Sequence, residues 1–561
     1  MRFGANQLAK GEGLNVEFQL TTVILFLVIT LMVVPPLLVL GFFLFDRRQK
    51  QHAVLRNYPL LGRIRYFFEM IGPEMRQYLF DGDNETKPFS RVEILNIVLS
   101  GKYLKNMIAF GSKRDFDAAG FYIRNALFPK LREELRVELP PVATRKYQIV
   151  NETLVSRRER QIEAEAQGWV LADEDAVVIG PERPHPFHVK GLIGMSGMSY
   201  GALGSHAISA LSQGLGMAGA TWMNTGEGGI SPYHLEGGVD LMMQIGPGLF
   251  GVRDEAGNFS WEKLRQLAEM PEVRAFELKL AQGAKIRGGH VEGSKVTPEI
   301  AAIRGVPVGK TIDSPNRFRQ FNDLPSMLEF VHRMQQESGK PVGIKIVVGS
   351  SQQVRELVEG ITALQVWPDF ITVDGGEGGT GATFPELADS VGLPLRSALP
   401  LVDGWLRTYG VRDKVVLIAS GKAFTADRAA VALGLGADLI NIARGFMISV
   451  GCINAMKCHT NTCPVGVATT DPKLQKALVI DEKKYRVANY LLVLREGLYN
   501  LAAAAGLESP RQFSREHIVF KDSYGRIMTV DELFPIPSRT ADDDVSGEQQ
   551  LPQAAGTASS F

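Results

Sequence analysis

The chain has three cysteines, and all of them fall within twelve residues with the spacing Cys-x5-Cys-x4-Cys. Cys452, Cys458 and Cys463 are followed at once by the sequence Pro-Val-Gly. A disulfide framework needs spread and paired cysteines, and a closed zinc site usually has four ligands. An iron-sulfur cluster that lacks one iron corner needs three thiolates, so the spacing favours a site for electron transfer.

Two other interpretations of the cysteines stay open. His459 lies between the second and third cysteines and could complete a zinc site. The plainest alternative is a chance cluster of buried apolar cysteines, but a chain of 561 residues carries no other cysteine. We therefore expect metal ligands here, and iron-sulfur ligands before zinc ligands.

A second stretch with chemical character is VDGGEGGTGA, residues 373–382, which has five glycines in ten positions. Glycine is costly to order and adds no side chain to a core, so this density predicts a loop that approaches a ligand closely. A flexible surface turn is the alternative.

Two glycine turns follow successive predicted strands late in the chain, namely SGK at 420–422 and ARG at 443–445. In phosphate-binding barrels the loops after the seventh and eighth strands present backbone N–H groups to a phosphate. The pair predicts a site for the phosphate of flavin mononucleotide (FMN), with two ordinary turns as the alternative. GLGMAG at 214–219 matches a dinucleotide fingerprint in spacing, but it follows the helical stretch AISALSQ, so we predict no NAD(P)H site.

The elements that position these residues form an α/β fold. From about residue 170 to 450, short apolar runs alternate with amphipathic helical stretches, which predicts a parallel sheet. The length favours a (β/α)8 TIM barrel over a doubly wound sheet. The six predicted strands are HVKGLIGM, AFELKLAQ, PVGIKIVVG, DFITVDGG, KVVLIASG and DLINIARG.

Residues 18–45 carry no charge and are mostly Leu, Val, Ile and Phe, which exceeds the roughly 20 residues that cross a bilayer. We predict one membrane-spanning helix and no cleaved signal peptide. Pro35 and Pro36 allow a kinked helix or a re-entrant hairpin instead. Basic residues after the segment outnumber those before it, which predicts an inner-membrane protein with its catalytic part in the cytoplasm. They are Arg47, Arg48, Lys50 and Arg56, against Arg2 and Lys10.

The expected organisation has seven parts. They are a short N-terminal segment (1–17), a transmembrane helix (18–46), a helical region that includes SRRERQIEAEAQ (47–169), the FMN-binding barrel (170–450), the iron-sulfur loop (451–475), a C-terminal helical region (476–537) and a disordered tail (538–561). The chain has 61 Lys and Arg residues and 61 Asp and Glu residues. It therefore has no net positive charge that would attract nucleic acid.

The sequence resembles the synthase and flavin domains of glutamate synthase. The resemblance covers about residues 185–505, and it is carried by an ordered series of motifs. They are MSYGALG at 198–204, NTGEGG at 224–229, LKLAQGAK at 278–285, the GGTGA run and CHTNTCPVGVAT at 458–469. The apolar span and RNYPLLGRIRYFFE further resemble the short membrane-associated members, called FMN-binding glutamate synthase family proteins.

The resemblance implies an FMN above the mouth of the barrel and a 3Fe-4S cluster on the three cysteines. The residues it places at the flavin are Met198, Ser199, Tyr200, Asn224, Gln244, Lys345, Asp374, Gly378, Gly379, Thr380, Gly381, Ser420, Gly421, Lys422, Ala443, Arg444 and Gly445. It places Lys279, Gln282, Lys285 and Arg304 at the carboxylates of 2-oxoglutarate or beside the flavin, and Glu227 where ammonia enters. Fixed cations suit a dicarboxylate independently of the resemblance. Surface exposure of Lys279 and helix capping by Glu227 are the plainer alternatives.

Two departures from the family stand out. The sequence has no cysteine outside the cluster, whereas the full-length family members begin with a catalytic cysteine, so we expect the chain not to make its own ammonia by that route. After Arg304 it reads DSPNRFRQ at 313–320, where the family is rich in proline and histidine, which leaves the keto acid open.

The resemblance thus implies reductive amination of 2-oxoglutarate to L-glutamate through 2-iminoglutarate. Its partners would be ammonia or another amine and an external electron donor such as ferredoxin or a reductase subunit. The alternatives are an N-methylglutamate synthase-like amine transfer, or a membrane-tethered flavin redox component that aminates nothing.

Overall fold

The computed structural model describes residues 5–105, 110–112, 114–153, 157–285, 289–381 and 383–539, with side chains from Thr22 onward. The chain forms two units, Met1–Val92 and Glu93–Phe561. Nearly all of the tail predicted at 538–561 lies outside the described residues.

The first unit is helical and contains α1 (Ala5–Arg48), α2 (Ala53–Asn57), α3 (Leu61–Met75) and a π-helical turn (Arg76–Phe80). α1 continues through Pro35 and Pro36, so the segment does not turn back as a hairpin. An 18-residue window within Thr22–Arg48 has a mean hydropathy of 3.0, and none of the residues of that window is buried. Among the described residues α1 is the one helix long and apolar enough to cross a membrane.

The end of α1 is tied to the start of α3 through Asp46. Its carboxylate accepts hydrogen bonds from the backbone N–H of Leu60 at 3.0 Å and from Arg63 Nε at 2.9 Å. The Arg63 guanidinium also lies 4.5 Å from the centroid of the Phe42 ring of α1. These contacts fix where α3 begins relative to the apolar helix.

The strands of the second unit, in chain order, are β1 (Gly120–Ile123), β2 (Val137–Glu138), β3 (Pro141–Glu152), β4 (Arg157–Gln167), β5 (Val170–Leu171), β6 (Val177–Ile179), β7 (Phe187–Val189), β8 (Ile193–Met195), β9 (Trp222–Asn224), β10 (Asp240–Ile245), β11 (Val273–Lys279), β12 (His290–Val291), β13 (Ile312–Asp313), β14 (Val342–Ile346), β15 (Phe370–Asp374), β16 (Val416–Ser420), β17 (Leu439–Ile442), β18 (Ile518–Lys521) and β19 (Ile527–Thr529).

The α-helices from residue 91 onward are α4 (Arg91–Tyr103), α5 (Ser205–Ala218), α6 (Pro232–Leu235), α7 (Trp261–Glu269), α8 (Pro298–Arg304), α9 (Leu324–Ser338), α10 (Ser351–Leu364), α11 (Pro385–Ser390), α12 (Leu395–Thr408), α13 (Ala426–Gly434), α14 (Arg444–Ser449), α15 (Pro472–Gln475), α16 (Ile480–Ala504) and α17 (Val530–Leu533).

Eight parallel strands close into a barrel in the order β8, β9, β10, β11, β14, β15, β16 and β17. The last strand pairs with the first, with Ile440 opposite Ile193. Strands such as β15 are buried along their whole length, as expected of a parallel sheet covered on both faces. The predicted (β/α)8 barrel is confirmed, and each of the six predicted strands overlaps a barrel strand.

Two regions predicted as helical contain antiparallel strands instead. β3 and β4 form a long hairpin, so SRRERQIEAEAQ is a strand from Arg157 onward and not a helix. Its Ile162, Ala164 and Ala166 alternate with charged or polar residues, and pairing with β3 outweighs the helix propensity of its Glu, Ala and Gln residues. In the region 476–537, β18 pairs with β1 and β19, so only part of it is helical.

The glycine motif at 214–219 serves helix packing. Gly214 and Gly216 lie inside α5, which packs against α16. A Cβ on Gly214 would come within 2.4 Å of the Lys484 carbonyl oxygen, so only glycine allows the two helices to approach this closely. The motif is therefore no nucleotide loop.

Candidate functional site

The carboxyl ends of the barrel strands surround a cavity of about 200 Å³. Its lining combines residues predicted for the substrate, the flavin and the cluster. They are Met198, Ser199, Glu227, Gln244, Lys279, Gln282, Lys285, Arg304, Gly379, Thr380, Gly381, Ala443, Arg444 and Cys458. The other predicted site residues do not line this cavity. They are Tyr200, Asn224, Lys345, Asp374, Gly378, Ser420, Gly421, Lys422, Gly445, Cys452 and Cys463.

One carboxylate among three cations forms the electrostatic centre of the cavity. Lys279 Nζ lies 2.9 Å from Glu227 Oε1. Burial raises the pKa of the Glu227 carboxyl, but the charges of Lys279, Lys285 and Arg304 hold it below its ordinary value. Burial lowers the pKa of Lys285 to about 8, against the opposing effect of Glu227. The cluster keeps an excess of positive charge, which suits a dianionic ligand.

Two glycines, which have no side chain, leave space for the Glu227 carboxylate. A Cβ on Gly246 would lie 2.2 Å from its Oε2 atom, and a Cβ on Gly289 would lie 2.8 Å from its Oε1 atom. Lys279 reaches the carboxylate because it is the last residue of β11. Polar residues at the carboxyl ends of barrel strands meet at one face of the barrel, as they do here.

Arg304 is placed by the ends of α8. The helix starts at the N-cap Thr297, whose hydroxyl accepts from the Ile300 N–H, and it stops at Gly305 in the left-handed region with φ 62°. Arg304 is 2% exposed and donates from Nη2 to the Tyr200 carbonyl oxygen at 2.8 Å. Burial lowers the pKa of its guanidinium. Its Nε has no hydrogen-bond partner among the described residues, so a donor remains for a ligand.

A buried acceptor inside the barrel was missed by the sequence reasoning. Glu277 is fully buried and accepts hydrogen bonds from Asn224 at 2.8 Å, Gln244 at 2.6 Å and Thr372 at 2.5 Å. It thereby fixes the two amides that the resemblance places at the flavin. The available signal was a charged residue between two apolar ones, Phe276 and Leu278, in a strand predicted for a sheet that is buried on both faces.

The loop after β11 lies directly against the glycine-rich loop after β15. Gln282 Nε2 donates to the Gly379 carbonyl at 2.8 Å, and the Gly283 N–H donates to Asp374 Oδ2 at 2.8 Å. A Cβ on Gly283 would lie 1.9 Å from the Gly375 carbonyl oxygen. Asp374 also lies 3.3 Å from Lys345 Nζ. The glycines therefore allow the backbones of these two loops to approach each other closely. The close approach expected from the glycine density is thus, at least in part, an approach of one loop to another.

Only part of the Met198 to Tyr200 loop lines the cavity. Met198 and Ser199 line the cavity, whereas the Tyr200 hydroxyl donates to Glu299. Burial and that carboxylate raise the pKa of the Tyr200 hydroxyl. The backbone carbonyl of Tyr200, and not its ring, is what contacts Arg304.

The two predicted phosphate loops follow β16 and β17, the seventh and eighth barrel strands in chain order. Lys422 has a φ of 50°, a conformation uncommon for a side chain other than glycine and frequent at ligand sites. Arg444 opens α14 and donates to the Glu377 carbonyl at 2.8 Å. A Cβ on Gly379 would lie 2.4 Å from Arg444 Cζ. Gly421 and Lys422 line a neighbouring cavity of about 260 Å³.

The cysteine loop forms one part of the cavity wall, where Cys458 lines the cavity. A Cβ on Gly381 would lie 3.0 Å from Cys458 Cβ, which places the loop against the glycine-rich loop. All three thiols are free. Burial raises the pKa of the Cys452 thiol to about 11 and also raises that of Cys458.

Lys295, which no motif pointed to, joins this loop to the barrel. Its buried Nζ donates to the carbonyl of Cys458 at 2.8 Å and to that of Ala202 at 3.1 Å. The second carbonyl belongs to the loop that contains Met198 and Ser199. One ammonium therefore bridges the predicted cluster loop and the predicted flavin loop.

The donor sets agree with the two predicted cofactors to different degrees. Glycine backbone and the Gln244 amide line the cavity, which fits a flat polar ring such as a flavin. Three free thiols of one loop fit an iron-sulfur cluster in chemistry. In the described part of the chain, however, no three His, Cys, Asp or Glu side chains are assembled to hold a metal ion, whether iron-sulfur or zinc.

Comparisons with known proteins agree with one another. A family model described as "Conserved region in glutamate synthase" matches residues 133–508. The glutamate synthase large subunit-like protein YerD of Bacillus subtilis (strain 168) is 54% identical over 508 residues, which cover 90% of this chain and 97% of that protein. An archaeal-type glutamate synthase (NADPH) of Thermotoga sp. (strain RQ2) is 30% identical over 361 residues, or 64% of this chain and 66% of that protein.

Among solved structures, a mutant flavocytochrome b2 with pyruvate bound aligns with a TM-score of 0.41 at 12% identity. The alignment covers 88% of this chain and 93% of that one. The barrel is shown by the strand order of the chain itself.

Proposed function

The chain belongs to the glutamate synthase family, and on that premise we propose that it reductively aminates 2-oxoglutarate to L-glutamate with FMN and a 3Fe-4S cluster. Ammonia and the keto acid condense to 2-iminoglutarate with loss of water. Two electrons and two protons then convert the imine to the amine. An external donor such as ferredoxin or a reductase subunit supplies the electrons.

The observation that carries this proposal is the group of three cations around Glu227 at the mouth of the barrel. A five-carbon dicarboxylate needs a fixed positive charge for each end, and three buried cations against one carboxylate supply that excess. Arg304 can grip a carboxylate with two donors, whereas Lys279 and Lys285 act as point charges.

The residues of the chain have separate roles in this scheme. Lys279, Lys285 and Arg304 hold the carboxylates and orient the carbon that is reduced. Glu227 holds the attacking amine and accepts a proton at its carboxylate when the amine adds to the carbonyl carbon. Glu277 keeps the Asn224 and Gln244 amides in fixed positions, and Gln244 lines the cavity.

The cofactors supply the redox chemistry. FMN bound in the cavity would supply hydride, and a cluster on Cys452, Cys458 and Cys463 would pass single electrons to it. The free thiols, the position of Cys458 against the glycine-rich loop and the family membership support the second assignment.

We further propose that α1 anchors the protein in the cytoplasmic membrane as a single span, with the barrel in the cytoplasm. The length and apolarity of Thr22–Arg48 support the span. The basic residues that follow it support the orientation.

The test uses the full-length protein, purified without oxygen in detergent and with its flavin reduced by light. Mixing with 2-oxoglutarate and ammonium should reoxidise the flavin, followed by its absorbance, and should yield L-glutamate, measured by chromatography. Neither compound alone should do so. Reoxidation that does not depend on 2-oxoglutarate would instead indicate a redox component, and a product formed from methylamine but not from ammonium would indicate N-methylglutamate synthesis.

A further inference from the structure

α3 carries an apolar stripe whose first four residues are exposed and whose last two are half-buried in the described part of the chain. The stripe consists of Leu61, Ile64, Phe67, Phe68, Ile71 and Met75, whose spacing places them along one side of a helix. Leu61 is 69% exposed and Phe68 is 55% exposed. Large apolar side chains grouped in this way on a surface mark an interaction site.

The other side of α3 is already used within the first unit. Gly62 packs against Leu55 of α2, where a Cβ would lie 3.0 Å from the Leu55 Cδ2 atom. The Tyr66 ring lies 4.9 Å from the His52 ring between centroids. These contacts fix the rotation of α3 about its axis, so the stripe stays outward.

The position of α3 relative to α1 identifies what covers the stripe. Asp46, near the last turn of α1, holds Leu60 and Arg63 at the start of α3. α3 therefore begins beside the end of the helix that is apolar enough to cross a bilayer. Between Arg47 and Arg76 the chain carries seven Lys or Arg residues against two Glu, a balance that attracts an anionic surface.

We propose that α3 lies in the interfacial layer of the bilayer that α1 crosses, with its apolar stripe toward the acyl chains and the basic residues of this segment at anionic headgroups. This rests on the proposed membrane anchor. An amphipathic helix with basic residues and Phe, Leu and Ile on its apolar side binds membranes in this manner, roughly 5–10 Å deep. The site is thus a lipid-binding surface of the first unit, independent of the chemistry in the barrel.

Depth-dependent quenching tests the proposal on the full chain. Phe68→Trp places a reporter on the stripe, and Glu69→Trp places one on the neighbouring polar side, which is 51% exposed and paired with Arg65. Both variants and the wild type are reconstituted into vesicles of phosphatidylcholine and phosphatidylglycerol, with and without bromine on the acyl chains. The five native tryptophans provide the same background in each sample.

We expect brominated lipid to remove the added emission of Phe68→Trp and to leave that of Glu69→Trp. Iodide in the buffer should do the reverse. Vesicles without phosphatidylglycerol, or high salt, should weaken the lipid quenching of Phe68→Trp.

Other results would overturn the proposal, and flotation on a density gradient distinguishes their origin. If the protein floats with vesicles after an alkaline wash but Phe68→Trp is quenched by iodide, the anchor stands and the interfacial helix is wrong. If Phe68→Trp is shielded from both quenchers, a protein surface or a second copy covers the stripe. If the wild type does not float, the anchor and the interfacial helix fail together.

Discussion

The Lys279 ammonium lies 2.9 Å from the Glu227 carboxylate, and both side chains are largely withdrawn from solvent at the mouth of the barrel. Two further cations, Lys285 and Arg304, act on the same carboxylate. Because one carboxylate cannot neutralise three cations, the resting site keeps charge available for a substrate anion.

Lys279→Met should weaken binding of 2-oxoglutarate. The variant loses a charge-assisted hydrogen bond worth about 2 kcal/mol, which corresponds to about a 30-fold rise in KM. Steady-state kinetics with a saturating electron donor measures the effect. Lys414→Met, an exposed lysine before the start of β16, is the matched control and should leave KM unchanged. An unchanged KM in Lys279→Met would show that the lysine serves only Glu227.

Lys285 should give substrate binding a pH dependence. Its pKa in the folded chain is about 8 because the ammonium is buried, against 10.5 as its ordinary value. The KM for 2-oxoglutarate should therefore rise as the pH passes through about 8 and the charge is lost. Lys285→Arg keeps the charge and should flatten the profile; the same inflection in that variant would assign it to another group.

The same lysine should make the folded protein more stable as the pH rises above about 8, although substrate binding weakens over that range. Between about pH 8 and 10.5 the unfolded chain binds a proton that the folded chain has released, so this group makes folding more favourable as the pH rises. Below pH 8 both states are protonated and the cost of burying the charge is constant. Thermal unfolding of the wild type and of Lys285→Met across this range should differ in slope, and parallel curves would contradict the assignment.

Glu277→Gln should destabilise the barrel interior. Asn224 and Gln244 donate to one carboxylate oxygen and Thr372 donates to the other. A glutamine keeps an acceptor at only one of these positions and puts an NH2 donor at the other, and a buried donor left unpaired costs about 1–3 kcal/mol. We expect a lower midpoint of thermal unfolding and weaker FMN retention on gel filtration. Glu269→Gln, on the exposed side of α7, should change neither. A Glu277→Gln protein with normal stability would show that the hydrogen-bond network rearranges at no cost.

Gly283→Ala should separate the two loops that meet beside the cavity. The added Cβ would lie 1.9 Å from the Gly375 carbonyl oxygen, a backbone atom that can move only with its loop. The variant should lose bound flavin, measured as the ratio of visible to ultraviolet absorbance. Gly111→Ala, whose Cβ has nothing within 4 Å, is the control. Full flavin content in Gly283→Ala would mean that the loops need not touch.

Cys458→Ser should remove iron and leave the flavin. The variant lacks one thiolate of three, so turnover with a one-electron donor should fail while FMN absorbance remains. Iron, zinc and acid-labile sulfide are measured on anaerobic protein. His459→Ala is the companion variant: retention of metal there agrees with three thiolate ligands, and loss of zinc would favour the zinc site instead.

The barrel was predictable because six of its strands are apolar runs that end in Gly, Ser, Asp, Lys or Arg. β9 and β10 were missed since β9 has three residues and both end in amide-bearing stretches that resemble loops. The β3–β4 hairpin was mistaken for helix because its composition of Arg, Glu, Gln and Ala favours helix locally. The pairing partner that overrides this preference is a tertiary fact.

The site was predictable in part. The motif series indicated Glu227, Lys279, Lys285 and Arg304, and the structure brings them to one cavity. The sequence could not show that the Tyr200 ring turns toward Glu299, because that depends on how α8 packs. Lys295 had no signal at all, since a lysine after a glycine and a serine is typical of an exposed turn.

Lys295 also determines how the two loops that it joins behave. Its ammonium donates to one carbonyl from each of them, Ala202 on one side and Cys458 on the other. A displacement of either loop must lengthen a bond to the other, so the two cannot drift apart independently. A change that loosens the loop at Ala202 should therefore also loosen the loop at Cys458, and the reverse should hold as well.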